Sequence, residues 1–224
     1  MKEINYCEKC GHTGYIRIDD NTLTHCECYK STNALKTLYN QGLGYILERY
    51  TFDRYTTNTE MTKHLCKKAQ DYLNEKKKWF TILGQSGVGK SFICIAIINE
   101  LLKQNKECYV VRWVEFVSQL NAYVNTEQYF DLMDKVKNYE VLYIDDFLKP
   151  LSSQNPTTAE LKKAYEIIDY RLINNKQTII SSERSFDELI SLDEATAGRI
   201  YQMSQNYLIN LKKKEGGNLR LKNN

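Results

Sequence analysis

Long hydrophobic runs and proline are both scarce in this 224-residue sequence. No uncharged apolar run reaches the ~18 residues that a membrane-spanning helix needs, and the first ten residues, MKEINYCEKC, hold no apolar segment of the kind found in signal peptides. We therefore expect a cytosolic (cytoplasmic) protein without a membrane partner. The two prolines, together with the lack of an internal repeat or low-complexity tract, favour a chain that is globular throughout.

Charge of one sign is not in excess either. The sequence has 31 lysines and arginines against 28 aspartates and glutamates, a formal net charge of +3. This balance excludes a protein whose whole surface binds polyanions. Any contact with nucleic acid is expected to be local.

Cysteine is unevenly distributed, because four of the seven fall within the first 28 residues. Residues 1–30 have too few aliphatic side chains to fold around a core, so we expect a metal to hold this segment together. The thiols form a C-x-x-C pair and a C-x-C pair, which suits tetrahedral Zn²⁺, and the predicted ligands are Cys7, Cys10, Cys26 and Cys28. A site in which His12 or His25 replaces one thiol stays open, as does a segment without metal.

The rest of the chain divides into a connector and a larger alternating unit. Residues 31–61 predict a helix interrupted at Gly42 and Gly44 and then an extended stretch at 50–55, and we assign them as a linker. From residue 62 to 224, apolar strands alternate with helices, which predicts an α/β fold: a parallel sheet covered on both faces, in three layers. The predicted strands are 79–83, 108–113, 141–144, 178–181 and 207–211. The predicted helices are 63–78, 90–103, 114–123, 129–136, 158–173, 186–192 and 195–203.

A glycine-rich loop follows the first of these strands and matches the phosphate-loop pattern G-x-x-x-x-G-K-[ST]. Its residues are Gly84, Gln85, Ser86, Gly87, Val88, Gly89, Lys90 and Ser91. The glycines let backbone N–H groups converge on a phosphate at the start of the next helix. Lys90 should reach the β and γ phosphates, and the Ser91 hydroxyl should bind Mg²⁺. The loop therefore predicts binding of ATP or ADP with Mg²⁺, with a glycine-rich turn and a chance lysine as the alternative.

Two aspartates end the apolar strand VLYI. Open α/β sheets bind ligands at the carboxyl ends of their strands, so Asp145 is the expected holder of Mg²⁺ and Asp146 can orient the attacking water. A solvated acid at a strand end is the alternative for Asp146. Because an aspartate reaches less far than a glutamate, we expect slow hydrolysis.

Five segments then point to one family. They are GQSGVGKS, VLYIDDF, TIISSE at 178–183, AGRIYQMS at 197–204 and Asn218-Leu219-Arg220. From about Phe52 onward, these segments resemble the bacterial and phage helicase loaders of the DnaC/DnaI type, AAA+ ATPases that have the transposition helper IstB as a relative. The resemblance implies an AAA+ domain with an N-terminal zinc module, ATP hydrolysis and ATP-dependent self-assembly.

The resemblance also assigns roles to residues outside the loop. The position that faces the γ-phosphate in the family is often an asparagine, but here it is Glu183, with Ser182 beside it. A glutamate there needs a nearby cation, and both residues could instead cap the helix that follows. Arg199 corresponds to an arginine that reaches the ATP site of a neighbouring subunit, and a local pair with Glu194 or another acid is the alternative. Arg220 matches a C-terminal arginine of unassigned role.

The leading hypothesis is a loader that delivers a DnaB-like replicative helicase onto single-stranded DNA, with the zinc module gripping the helicase. An IstB-like transposition helper and a non-hydrolysing nucleotide-binding adaptor are the alternatives. In such loaders, basic and aromatic residues face the DNA. The candidates here are Lys103, Lys106, Arg112, Trp113, Tyr123 and Tyr129. The lysine runs at 76–78 and 212–214 read as solvated faces.

Overall fold

The computed structural model describes residues 7–11, 13–75, 78–149 and 155–211. His12, the lysines at 76, 77 and 212–214, and the segment Asn218-Leu219-Arg220 lie outside these residues. The strands are β1 (Tyr15–Arg17), β2 (Leu23–His25), β3 (Phe80–Leu83), β4 (Cys108–Arg112), β5 (Val141–Asp145), β6 (Gln177–Ser182) and β7 (Leu208–Asn210). The helices are α1 (Tyr29–Asn40), α2 (Gly44–Arg49), α3 (Glu60–Tyr72), α4 (Lys90–Lys103), α5 (Trp113–Ala122), α6 (Glu127–Asn138), α7 (Thr158–Ile173), α8 (Phe186–Leu192) and α9 (Glu194–Ser204).

Five parallel strands form the main sheet, in the order β4-β5-β6-β3-β7. Strand β3 is apolar along its whole length and entirely buried, as a strand covered on both faces must be. The α/β fold with a parallel sheet is thus confirmed. Because the five strands are parallel, the loop that follows β3 opens at the same end of the sheet as the carboxyl ends of β5 and β6.

The sheet is covered on both faces, which gives the three predicted layers. One buried cluster joins residues of α1–α4 to one face, and a second joins residues of α5–α9 to the other. Helix α4 belongs to the first cluster and is apolar nearly all round, with the sequence KSFICIAIINELLK. A helix of this kind needs cover on its outer side as well as on the sheet side.

Part of that outer cover comes from the predicted linker. Ala34, Leu38 and Leu47 are buried in the same cluster as the α4 side chains. The buried Asn99 of α4 donates hydrogen bonds to the carbonyls of Leu47 and Tyr50, at 2.8 and 2.9 Å. The assignment of residues 31–61 as a linker is therefore corrected. Helices α1 and α2 pack into the core that α3 and α4 form with the main sheet, and no break in packing falls at residue 61.

Two predicted elements differ in their local structure. The stretch 50–55 contains a 3₁₀ turn at Phe52–Arg54 and is not extended throughout. Helix α3 ends at Tyr72, six residues earlier than predicted, and Leu73 and Asn74 form a turn. Helices α4, α7 and α8 have the predicted bounds.

The cysteine segment is a short hairpin, in which β1 and β2 pair antiparallel. It is tied to the turn between α4 and β4 by Asn105, whose side chain accepts a hydrogen bond from the Ser31 N–H at 3.1 Å and donates to the Glu27 carbonyl. This turn lies at the amino end of β4. The hairpin is therefore near the end of the sheet that lies opposite the phosphate loop. Across the described residues, none of the helices combines the length and apolar character required to cross a membrane.

Candidate nucleotide site and cysteine cluster

The loop between β3 and α4 has the backbone that a phosphate loop requires. Gly84, Gly87 and Gly89 have φ values of 127°, 81° and 88°, a region that favours glycine. At Gly84 a Cβ would also lie 2.5 Å from the Leu211 carbonyl oxygen, so a side chain does not fit there. The backbone angle therefore favours glycine at all three positions, and at Gly84 the lack of space requires it as well.

Lys90 begins α4 and is almost completely buried, with 6% of its surface exposed. Its ammonium donates to the carbonyls of Gly84 and Gln85, both at 2.7 Å, which directs it along the loop. Burial lowers its pKa, and the nearby carboxylates of Glu183 and Asp146 oppose that shift. A buried ammonium of this kind is a strong partner for an anion.

Ser91 and Asp145 meet at the head of α4. The Ser91 hydroxyl donates to Asp145 Oδ1 at 3.0 Å, so the two predicted Mg²⁺-binding oxygens lie side by side. The same Oδ1 accepts bonds from the Tyr143 hydroxyl at 2.5 Å and the Ser181 hydroxyl at 2.6 Å. Hard oxygen ligands suit Mg²⁺, and the donor set at this point fits that ion.

Asp146 and Glu183 lie beside this pair and share one cation. Lys149 Nζ lies 2.9 Å from Asp146 Oδ2 and 3.1 Å from Glu183 Oε1. Asp146 is thus ion-paired and only partly exposed, and Glu183 has the neighbouring cation that the sequence argument required. Lys149 itself was not among the predicted site residues.

Ser182 has a different environment from Glu183. It is fully buried, and its hydroxyl donates to the Phe147 carbonyl at 2.7 Å. The capping alternative for both residues is wrong, because Ser185 caps α8 by accepting from the Glu188 N–H. Glu183 lines the cleft next to the phosphate loop, whereas the Ser182 hydroxyl is already used by the backbone.

The cleft has a volume of about 410 Å³ and continues from the loop to an aromatic wall. In that wall the Tyr50 and Phe92 rings stack at 4.4 Å, and the Tyr55 ring lies 5.3 Å from Phe92. Tyr55 is 7% exposed, and its hydroxyl has no hydrogen-bond partner among the described residues. The wall offers an apolar aromatic surface to a flat ligand ring. Sequence reasoning missed it, since nothing in the pattern brings residue 50 to residue 92.

Arg199 on α9 is held by α7. Its Nε donates to Asp169 Oδ1 at 2.6 Å and its Nη2 to the Tyr165 hydroxyl at 2.7 Å. The alternative of a local ion pair is thus present in the structure, with Asp169 rather than Glu194 as the acid. The Arg199 side chain keeps 28% of its surface exposed.

The four predicted zinc ligands converge. Their sulfur atoms all lie within 4.8 Å of one another, with Cys7 Sγ 3.6 Å from Cys26 Sγ and Cys10 Sγ 3.3 Å from Cys28 Sγ. Tetrahedral zinc with Zn–S bonds of ~2.3 Å would place its sulfurs ~3.8 Å apart, so the cluster fits the ion with small adjustments. His25 instead stacks on Tyr29, with ring centroids 3.8 Å apart.

Crowding also separates the acidities of these thiols. Burial opposes ionisation of Cys10, but hydrogen bonds from the neighbouring thiols outweigh it and lower its pKa to about 6. Burial raises the pKa of Cys28 to about 12, and hydrogen bonds to the other thiols add to that rise. Of these two thiols, Cys10 is therefore the more readily ionised.

Among the proposed DNA-facing residues, some side chains are buried or ion-paired and others are exposed. Trp113 is wrong as a stacking platform, because it is 1% exposed and its Nε1 donates to Glu160 at 2.7 Å. Lys106 is paired with Glu140 and Arg112 with Glu115. Tyr123 remains 42% exposed and is available to a flat ligand.

Comparison with known proteins places the chain in a family. The family model of the bacterial DnaA ATPase domain matches residues 46–204, which leaves out the cysteine hairpin and α1. The uncharacterized protein YqaM of Bacillus subtilis (strain 168) is 31% identical over 202 residues, covering 85% of this chain and 64% of YqaM. The phage-like element PBSX protein XkdC of the same strain is 28% identical over 221 residues, covering 92% of this chain and 82% of XkdC. The chain thus spans just under two thirds of the length of YqaM.

Among solved structures, the DnaC helicase loader aligns with a TM-score of 0.63 and 24% identity, covering 73% of this chain and 99% of that one. This likeness concerns the fold. The family match covers well over half of the chain, including the loop, the aspartate pair and Arg199. The chain belongs to the family of the bacterial DnaA ATPase domain and, among AAA+ proteins, resembles the DnaC-type helicase loaders.

Proposed function

We propose that this protein is an ATP-binding and ATP-hydrolysing helicase loader that delivers a DnaB-like replicative helicase onto single-stranded DNA. The nucleotide would be held by the phosphate loop, with Lys90 on its phosphates and Ser91 and Asp145 on Mg²⁺. When bound, Mg²⁺ would supply charge neutralisation at the β and γ phosphates. Asp146 would orient the attacking water, and ADP would be the product.

The observation that carries the proposal is the hydrogen bond between Ser91 Oγ and Asp145 Oδ1. It joins a phosphate loop on β3 to an acidic strand end on β5, which is the pairing that P-loop ATPases use around Mg²⁺. The loader role rests on similarity to the DnaC helicase loader and on family membership.

The cysteine hairpin is proposed to bind one Zn²⁺ through its four thiols and to contact the helicase. The hairpin is attached near the end of the sheet that lies opposite the phosphate loop. This position supports a helicase contact at the hairpin, since a partner could bind there without closing the nucleotide cleft. Self-assembly of the ATP-domain would then bring Arg199 toward the site of a neighbouring subunit, where a cation stabilises the transferring phosphate.

A phosphate-release assay on the Lys90→Ala variant tests the ATPase proposal. The parent protein should release phosphate slowly, and the variant should lose both ATP binding and release, because it removes the buried ammonium that would bind the phosphates. Lys63→Ala, which removes an exposed lysine paired with Glu60 on α3, is the matched control and should behave as the parent does.

Co-purification with a DnaB-like helicase tests the loader role. The protein should retain the helicase and bind single-stranded DNA better than duplex DNA. A parent that binds ATP without releasing phosphate would favour the adaptor alternative. Preference for duplex DNA without helicase retention would favour a transposition helper.

A further inference from the structure

Lys149 occupies a position in the nucleotide cleft that neither the phosphate loop nor the aspartate pair explains. It extends from the turn after β5 and bridges two carboxylates, Asp146 at the end of β5 and Glu183 just after β6. All three side chains line the cleft together with Lys90 and Ser91. The Lys149 ammonium therefore links two carboxylates that follow adjacent strands, Asp146 after β5 and Glu183 after β6.

The turn that carries Lys149 is held in an unfavourable backbone conformation. Asp146 and Leu148 have φ values of 55° and 49°, in the left-handed region that leucine seldom adopts. The turn is fixed by β6, where the Ser181 carbonyl accepts from the Phe147 N–H at 2.8 Å. Such strain persists only where the surrounding structure enforces it, and it is concentrated at functional sites.

Two further side chains hold the same turn. Ser182 donates to the Phe147 carbonyl, and the buried Arg184 donates its Nε to the Leu148 carbonyl at 2.5 Å. Phe147 and Leu148 point into the core, being 0% and 1% exposed. With its two preceding residues anchored, Lys149 extends into the cleft and lines it.

Charge balance shows what Lys149 contributes. Among the residues that line the cleft there are three cations and three carboxylates, so the cleft is neutral as it stands. The cations are Arg54, Lys90 and Lys149, and the carboxylates are Asp145, Asp146 and Glu183. Removing Lys149 would leave a net charge of −1 and two unpaired carboxylates beside the phosphate loop. A triphosphate would then meet repulsion at its γ end.

We propose that Lys149 is a positioning residue for the γ-phosphate: it neutralises Glu183, holds the Asp146 carboxylate in place and so allows the cleft to accept ATP in preference to ADP. This inference rests on the proposed nucleotide function. Burial disfavours the charge on Lys149, but its hydrogen bonds to Asp146 and Glu183 outweigh burial and raise its pKa, so the ammonium stays charged near neutral pH.

The test compares ATP and ADP affinities of the full chain by titration with fluorescent nucleotides. Lys149→Met should weaken ATP binding by about tenfold more than ADP binding, the effect of one charge ~6 Å away in a partly solvated cleft. Lys149→Arg should keep the parent's ATP-to-ADP ratio. Adding Glu183→Gln to the Met variant should restore most of the ATP affinity, because one of the two unpaired carboxylates is then gone and the cleft is neutral again. Lys103→Met, which removes an ion-paired lysine at the far end of α4, is the matched control.

Glu183→Gln in the parent background provides a second test that leaves the strained turn untouched. It frees Lys149 from one carboxylate and leaves the cleft with a net charge of +1, so ATP binding should become tighter than the parent's. Equal losses of ATP and ADP affinity in Lys149→Met, or ATP binding by Glu183→Gln that is no tighter than the parent's, would overturn the inference. A parent that binds neither nucleotide would instead overturn the proposed function itself.

Discussion

At the scale of single residues, Asp145 shows how one carboxylate oxygen can be fixed in place. Ser91, Tyr143 and Ser181 all hydrogen-bond to its Oδ1, and the Tyr143 hydroxyl also lies 3.0 Å from Ser181 Oγ. Tyr143 is fully buried, and burial raises its pKa well above the ordinary value, so it stays protonated and donates. The orientation of the carboxylate is therefore set before any ligand binds.

Tyr143→Phe should weaken Mg²⁺ binding measurably, because it removes one of the donors that orient the Asp145 carboxylate. The substitution preserves ring packing and removes one donor, and groups that orient a metal-binding residue are typically worth about tenfold or more in metal affinity. We expect the Mg²⁺ concentration for half-maximal ATP binding to rise about tenfold in a titration. Tyr72→Phe, which removes another buried hydroxyl that donates to the Lys78 carbonyl, is the control and should leave this concentration unchanged. An unchanged value in Tyr143→Phe would mean that Ser91 and Ser181 suffice.

Sequence reasoning found some of these residues and not others for physical reasons. The loop pattern identified Lys90 and Ser91 because a phosphate loop depends on contiguous residues. Tyr143 could have been found, since it lies two residues before Asp145 in a strand and so shares its face. Lys149 could not, because its position depends on left-handed backbone at Leu148, for which leucine has no preference.

At the scale of elements, helix α4 determines how the N-terminal third of the chain packs. Its isoleucines are buried on both the sheet side and the outer side, and α1 to α3 supply the outer cover. A helix that is apolar all round predicts such cover, so the sequence did contain the signal that residues 31–61 belong to the core. What it lacked was any indication of which segment packs there, since that pairing is a tertiary contact between distant parts of the chain.

The cysteine hairpin should depend on zinc independently of the nucleotide domain. Chelator-free protein should contain about one zinc atom per chain by elemental analysis, since four thiolates complete one closed tetrahedral site. Cys26→Ser should lower that content and speed amide exchange in β1, β2 and the start of α1, because the segment has little apolar burial of its own. ATP affinity should stay within about twofold of the parent's, since the hairpin attaches through Asn105 at the far edge of the sheet.

Cys66→Ser is the matched control, because Cys66 is a half-buried thiol on α3 outside the cluster. It should retain the parent's zinc content and exchange rates. Full zinc retention by Cys26→Ser, or no metal in the parent, would contradict the assignment of the four thiols. Helicase retention measured on the same variants would show whether the hairpin also carries the partner contact.

At the scale of the whole molecule, the candidate nucleotide site and the cysteine hairpin lie at opposite ends of one sheet. The phosphate loop, the acidic strand ends and Lys149 share the carboxyl edge, and the cysteine hairpin is attached near the amino edge. Arg199 belongs to neither group, because α9 packs on the face formed with α7 and α8. Arg199 does not line the nucleotide cleft of its own chain, so the site of a neighbouring subunit is the one at which to test its role.

The contacts of Arg199 allow two roles that make different predictions. Its pair with Asp169 joins α9 to α7, and a partly exposed pair of this kind stabilises by at most about 1 kcal/mol. If Arg199 acts only within its own chain, Asp169→Asn should reproduce the effect of Arg199→Ala. If it reaches a neighbouring site, Arg199→Ala should bind ATP nearly as well as the parent but lose hydrolysis, while Asp169→Asn keeps it, because the guanidinium is still present.

Mixing Arg199→Ala with Lys90→Ala protein distinguishes a shared site from a self-contained one. Each variant lacks a different half of the site, so hydrolysis can return only at an interface that joins an intact Lys90 on one chain to an intact Arg199 on the next. In an equal mixture that assembles at random, roughly one interface in four meets this condition, so phosphate release should recover to roughly a quarter of the parental rate. Parent-like hydrolysis by Arg199→Ala alone, or no recovery in a mixture shown to co-assemble, would mean that each ATP site is completed within one chain.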